Sequence, residues 1–173
     1  MPFLTDATWP SHMDIFLQTS EELGNYNGLY NSILLHCFDG YQGRQVLVTP
    51  EKHELNSLYI SIRGQDFIPL LITHVQSDVS LRGRVKADQL IRQKIDTLLT
   101  ECPLSRLCGL SFVGPSLRVY YGDVATGTIV PPLEDHIEEV WNIDILSPEG
   151  FAKMKEVVRE VVDSLSLKTC VCL

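Results

Sequence analysis

The chain has no run of about 18 apolar residues, so no membrane-spanning helix is expected. Its N-terminus lacks the basic-then-apolar order of a secretory signal. An intracellular, cytoplasmic setting is the expectation. Cysteine is sparse and scattered, at Cys37, Cys102, Cys108, Cys170 and Cys172, with no C-x-x-C pair and no zinc-type His/Cys spacing. Such residues read as reduced thiols in a core. A glycine-rich phosphate loop is missing, since Gly83-Arg84 lacks flanking glycines. A serine-nucleophile elbow is missing too, because Gly109-Leu110-Ser111-Phe112-Val113 ends in Val where that motif ends in Gly.

Positive charge is also short. Lys and Arg number 14 against 22 Asp and Glu, for a formal net charge of −8. That balance disfavours non-specific nucleic-acid binding, which needs cations against phosphate. The shortage is uneven. Residues 57–119 hold 8 basic and 5 acidic side chains, while both flanking segments are acidic. The basic cluster is Arg82, Arg84, Lys86, Arg92 and Lys94, read either as a solvated helix surface or as a basic face. Tyr120-Tyr121 with Arg118 has the aromatic-plus-basic look of a nucleic-acid platform, although strand alternation would bury one of the two tyrosines.

At 173 residues, 45% hydrophobic and 21% charged, the chain has the composition of one globular domain. Residues 1–18 read as an N-terminal arm, 19–166 as the domain and 167–173 as a tail. The tail ends Cys170-Val171-Cys172-Leu173, a C-a-a-X spacing that would prenylate Cys170, though only Lys168 stands in for the usual polybasic segment.

Thr19 with Glu22 three residues later predicts a helix start. Leu23, Tyr26, Tyr30, Ile33, Leu34 and Cys37 then give it a core face. A short strand over 45–49 ends at Pro50, and residues 57–63 alternate like a half-buried strand. Gly64-Gln65-Asp66 is a turn, and the almost wholly apolar 68–75 reads as a strand covered on both faces. A linker over 77–83 leads to a helix over 85–102 with Val85, Leu90 or Ile91, Ile95, Leu98 and Leu99 inward. Residues 106–113 and 117–123 form a hairpin around Gly114-Pro115-Ser116, followed by a short strand at Ile129-Val130. Ser147-Pro148-Glu149 opens a closing helix with Phe151, Met154, Val158, Val161 and Leu165 inward. The fold class is α/β (α+β): a central mixed sheet of about five strands flanked by helices, in the order α-β-β-β-α-β-β-α.

That order resembles the core of the PD-(D/E)XK nuclease-like superfamily. More narrowly, residues 67–77, Ala87-Asp88-Gln89, the segment GLSFVGPSLRVYYGD and the segment WNIDILSPEG resemble small proteins of basidiomycete fungi. Related segments lie beside fungal-type kinase-like domains. The resemblance implies a nuclease-like scaffold over about residues 20–165. It also implies an Asp at the start of one strand and a Glu-x-Lys on the next, holding Mg²⁺ and positioning water. Mapped onto this chain, the Asp position falls near Asn56-Ser57 and the Glu-x-Lys on His74-Val75-Gln76, or Thr73 if the register slips by one. None of these is a carboxylate or a lysine.

Two readings follow. In the first, the chain is a non-catalytic binding or regulatory module whose old cleft takes a protein or small-molecule ligand, with no cofactor. In the second, it is an enzyme using the same cleft. Either carboxylates from Glu22, Asp66 or Asp78 hold Mg²⁺ for nuclease work, or His74 serves as general acid/base beside Gln76. Arg63, Arg82 and Arg84 would flank the cleft, and Gln89 or Gln93 would reach it from the helix. A homodimer through the hairpin edge is open to either reading.

Overall fold

The computed structural model describes residues 2–39, 46–51, 54–62, 69–100, 102, 104–133, 137 and 140–169. Arg63, Asp66, the expected turn at Gly64 and tail residues 170–173, Cys170 among them, lie outside the described residues; residues 167–169 of the expected tail are helical.

The N-terminal third differs from expectation. It forms α1 (Pro2–Thr5), α2 (His12–Leu23) and α3 (Asn27–Phe38). The expected arm is therefore largely helical, and Thr19 opens nothing. It sits inside α2, where its hydroxyl donates to the Ile15 carbonyl at 2.9 Å. The break comes at Gly24, whose φ of +61° turns the chain left-handed. Gly24 N–H then bonds Glu21 O and Asn25 N–H bonds Ser20 O, which satisfies the last carbonyls of α2. The break separates Leu23 from the core face, and Leu23 is exposed while Tyr26, Tyr30, Ile33, Leu34 and Cys37 are buried.

One mixed sheet carries the rest. Its full-length strands are β1 (Val46–Glu51), β2 (Glu54–Ile62), β3 (Pro69–Gln76), β4 (Arg106–Val113) and β5 (Ser116–Asp123). Two-residue strands β6 (Ile129–Val130) and β7 (Ile143–Asp144) pair with the outer side of β5. Strands lie in sequence order, antiparallel throughout except β3 with β4. A parallel pair needs a crossover, and α4 (Leu81–Leu99) supplies it. Pro50 does not end the first strand; it lies within β1, an edge strand of the sheet, where proline is tolerated.

α4 begins four residues earlier than expected and ends at Leu99 rather than 102. Ser80 caps it, its hydroxyl accepting Gly83 N–H at 3.2 Å. Gly83 looks like linker but is packing: a Cβ there would overlap the Asp78 carbonyl. The hairpin and the last helix, α5 (Pro148–Thr169), fall where local signals put them. Ser147 Oγ accepts Gly150 N–H at 3.0 Å.

The sheet is covered on both faces. Gly109 and Gly122 let α4 approach closely, since a Cβ on either would press on Ile95 and on Ile91 or Leu99. The alternate residues of β4 and β5 point the other way. There Phe112 stacks on Tyr30 of α3, with ring centroids 3.8 Å apart, and Arg106 reaches Glu160 of α5 at 3.3 Å. Phe3 and Trp9 close that side against Phe151, and the Trp9 indole N–H donates to the Ile145 carbonyl at 2.8 Å. Among the described residues no helix is long and apolar enough to cross a membrane.

Candidate functional site

Strand register places His74 on the face that α4 covers. His74 pairs with Ser111 of β4, and Ser111 pairs with Arg118 of β5. Paired residues share a face, so these three form one row across the sheet, with strands ~4.8 Å apart. Gln76 follows two residues along the same face, half-buried at the end of β3. Its carbonyl accepts Gly114 N–H at 2.9 Å. His74 itself is only 4% exposed.

The helix side of this site is not what the sequence suggested. Gln89 and Gln93 are exposed and turned to solvent. The residues that turn inward are Asp88 and, one turn later, Arg92. Asp88 is 1% exposed and sits on the stripe that continues as Ile91, Ile95 and Leu99. Its Oδ1 accepts the Tyr120 hydroxyl at 2.7 Å and lies 3.5 Å from Arg118 Nη1. Its Oδ2 accepts Arg92 Nε at 2.8 Å. One carboxylate thus binds two guanidiniums and a phenol.

Aromatic rings complete the cluster. The Arg92 and Arg118 guanidiniums lie 5.2 and 5.1 Å from the Tyr120 ring centroid. Arg118 also lies 5.3 Å from the centroid of Trp141, whose indole N–H donates to the Ser111 carbonyl at 3.3 Å. These are cation–π distances, and they are strongest where water is excluded. Arg92 Nη2 donates to the Pro132 carbonyl at 2.9 Å, pinning the segment after β6 over the site. Burial first, and the Asp88 charge second, hold the Tyr120 hydroxyl far above the ordinary tyrosine range. It stays a donor at neutral pH.

Strand alternation buries Tyr120 and leaves Tyr121 only half-buried, so the pair forms no open stacking platform. The other described residues singled out from sequence lie at or near the surface. Glu22 is exposed and accepts Gln18 Nε2 at 3.2 Å. Asp78 is exposed; hydrogen bonds from Ser80 lower its pKa. Arg82 is exposed, and Arg84 Nε donates to the Val79 carbonyl at 3.3 Å.

Among the described residues, the donor set on this face does not suit Mg²⁺. That ion needs carboxylate and water oxygens in near-octahedral array. The buried carboxylate, Asp88, is neutralised by arginines, while His74 and Gln76 offer nitrogen and an amide. Among the described residues no three His, Cys, Asp or Glu side chains come together as a metal would require. Sequence reasoning missed Asp88. Its signals were present: an i, i+4 spacing to Arg92, and a place three residues before Ile91 on the apolar stripe.

Comparison of the chain with protein-family models, with curated proteins and with solved structures returns no match.

Proposed function

We propose that this chain is a non-catalytic binding or regulatory module on a degenerate PD-(D/E)XK nuclease-like scaffold. The observation that carries the reading is the state of Asp88. It is the buried carboxylate on the face where the superfamily would hold metal, and Arg92, Arg118 and Tyr120 occupy it. A carboxylate tied this way holds β5 and α4 together rather than binding a divalent ion. The run of three antiparallel strands, a crossover helix and a parallel fourth strand supports the scaffold half of the proposal.

The alternative, an enzyme with His74 as general acid/base, needs substrate to reach the imidazole. At 4% exposure His74 is enclosed between β2, β4 and the α4 layer, which counts against the catalytic reading. A general base must lie within hydrogen-bond reach of the proton that it moves.

The test is direct. Purified protein is incubated with single- and double-stranded DNA and RNA in Mg²⁺ or Mn²⁺, and its melting temperature is followed with each ion. The expected result is uncut nucleic acid and an unmoved melting temperature. Cleavage that vanishes in Asp88→Asn or His74→Ala would overturn the proposal.

A further inference from the structure

At the end of the sheet where β3 and β4 finish, three surface elements meet around Gly114. A Cβ on Gly114 would lie 2.7 Å from Val79 Cγ1 and 3.8 Å from the Tyr26 hydroxyl. The α2–α3 connection and the segment leading into α4 are therefore neighbours there. The Glu21 carboxylate is close enough to add, after burial, to the upward push on the Tyr26 phenol. On the other flank, Arg82 and Lys86 lie close enough to Asp78 to influence its carboxyl.

Large apolar side chains are left in water on this end. Leu23 is 74% exposed, Val79 53% and Leu81 54%. Exposed aliphatic groups gathered at one place mark contact surfaces more often than scattered ones do. Their flanks carry opposite charge. No Lys or Arg occurs in residues 1–43, and exposed Glu21 and Glu22 border Leu23. Exposed Arg82 and Lys86 follow Leu81 on the first turns of α4. Asp78 offsets part of that positive charge, and its oxygens are engaged by Ser80.

We propose that this end of the molecule is a twofold homodimer surface, in which Leu23, Val79 and Leu81 form the apolar centre and the Glu21–Glu22 flank of each copy meets the Arg82–Lys86 flank of the other. A patch that is apolar in the middle, acidic on one side and basic on the other is complementary to itself under a twofold rotation. Its two halves would repel under any arrangement that set like flanks together. That complementarity is why a second copy is the occupant chosen here. The inference stands apart from the His74–Asp88 face beneath α4 and does not depend on whether that face binds a ligand.

The experiment is sedimentation equilibrium of the full chain over a concentration series, with two charge-swap variants. Wild type should shift from monomer to dimer, and added salt should weaken the dimer because exposed charges are screened. Glu21→Lys/Glu22→Lys makes both flanks basic, and Arg82→Glu/Lys86→Glu makes both acidic. Each variant alone should stay monomeric. An equimolar mixture of the two should form a heterodimer, because the two swapped flanks now face each other with opposite signs, as do the two unswapped flanks. All four positions are exposed, so the thermal melts of the variants should match wild type. Leu23→Asp should abolish association without changing the melt. A wild type that stays monomeric up to millimolar concentration overturns the proposal. So does a dimer that survives both swaps, or a mixture that fails to associate.

Discussion

The Tyr120 hydroxyl donates to Asp88 Oδ1 at 2.7 Å, joining the fifth strand to the crossover helix from residues 32 positions apart. Arg92 and Arg118 close around the same carboxylate. This small ionic cluster ties β5 to α4 on that face of the sheet.

Removing the carboxylate should be much worse than removing the phenol. Asp88→Ala takes a buried counter-charge from two arginines and should cost about 3–5 kcal/mol. Tyr120→Phe removes one hydrogen bond and should cost about 1–3 kcal/mol. Urea unfolding of both single variants and the double variant measures the coupling. Additive losses would show that the two groups do not act together.

Alkaline pH should unfold the protein through its tyrosines. Burial and Asp88 raise Tyr120, while burial, Cys108 and Glu160 raise Tyr121, and burial raises Tyr30. A raised folded-state pKa means that the unfolded chain loses its phenolic protons first. The contribution is whole below the unfolded value of 10.0 and is lost as pH climbs above it. Melting temperature should therefore hold up to about pH 9 and then fall. Tyr120→Phe should lessen the slope of that fall. An unchanged slope would remove Tyr120 from the account.

Two glycines should respond oppositely to alanine. At Gly122 an added Cβ would overlap Ile95 and lie 2.8 Å from Leu99 Cδ1, so Gly122→Ala should cost about 1–3 kcal/mol through overpacking. Gly28 lies in α3 with nothing within 4 Å of an added Cβ, so Gly28→Ala should gain about 0.4–1 kcal/mol. Paired thermal melts check both signs. A stable Gly122→Ala would mean that α4 lies farther from the sheet than described.

Local signals made much of the fold legible. Gly114-Pro115 between alternating apolar runs specifies the β4–β5 hairpin, and Ser147-Pro148 specifies the start of α5, because turn and cap chemistry act within a few residues. Other features were hidden. A continuous apolar spacing across residues 23–37 reads as one helix, yet Gly24 breaks it, and periodicity alone carries no record of a left-handed residue. Gly83 reads as linker because its partner, the Asp78 carbonyl, acts through close approach rather than through any pattern.

The candidate site divides the same way. Strand alternation was enough to place His74 and Gln76 on one face, since side chains on a strand repeat every two residues. The helix was harder. An error of about one residue in a helical face turns it by ~100°, which is how Gln89 and Gln93 stood in for Asp88 and Arg92.

The sequence by itself determined an acidic chain of mixed helices and strands, and a strand whose end carries His74 and Gln76 on one face. Those properties belong to single residues and short spacings. Only the tertiary structure decided that Asp88 is held by Arg92, Arg118 and Tyr120, and that the α2–α3 connection and the segment leading into α4 meet around Gly114. Both depend on helices and strands distant in sequence meeting across the sheet. Contacts of that kind arise when packing buries one face of α4 against Gly109 and Gly122, and no local pattern encodes them.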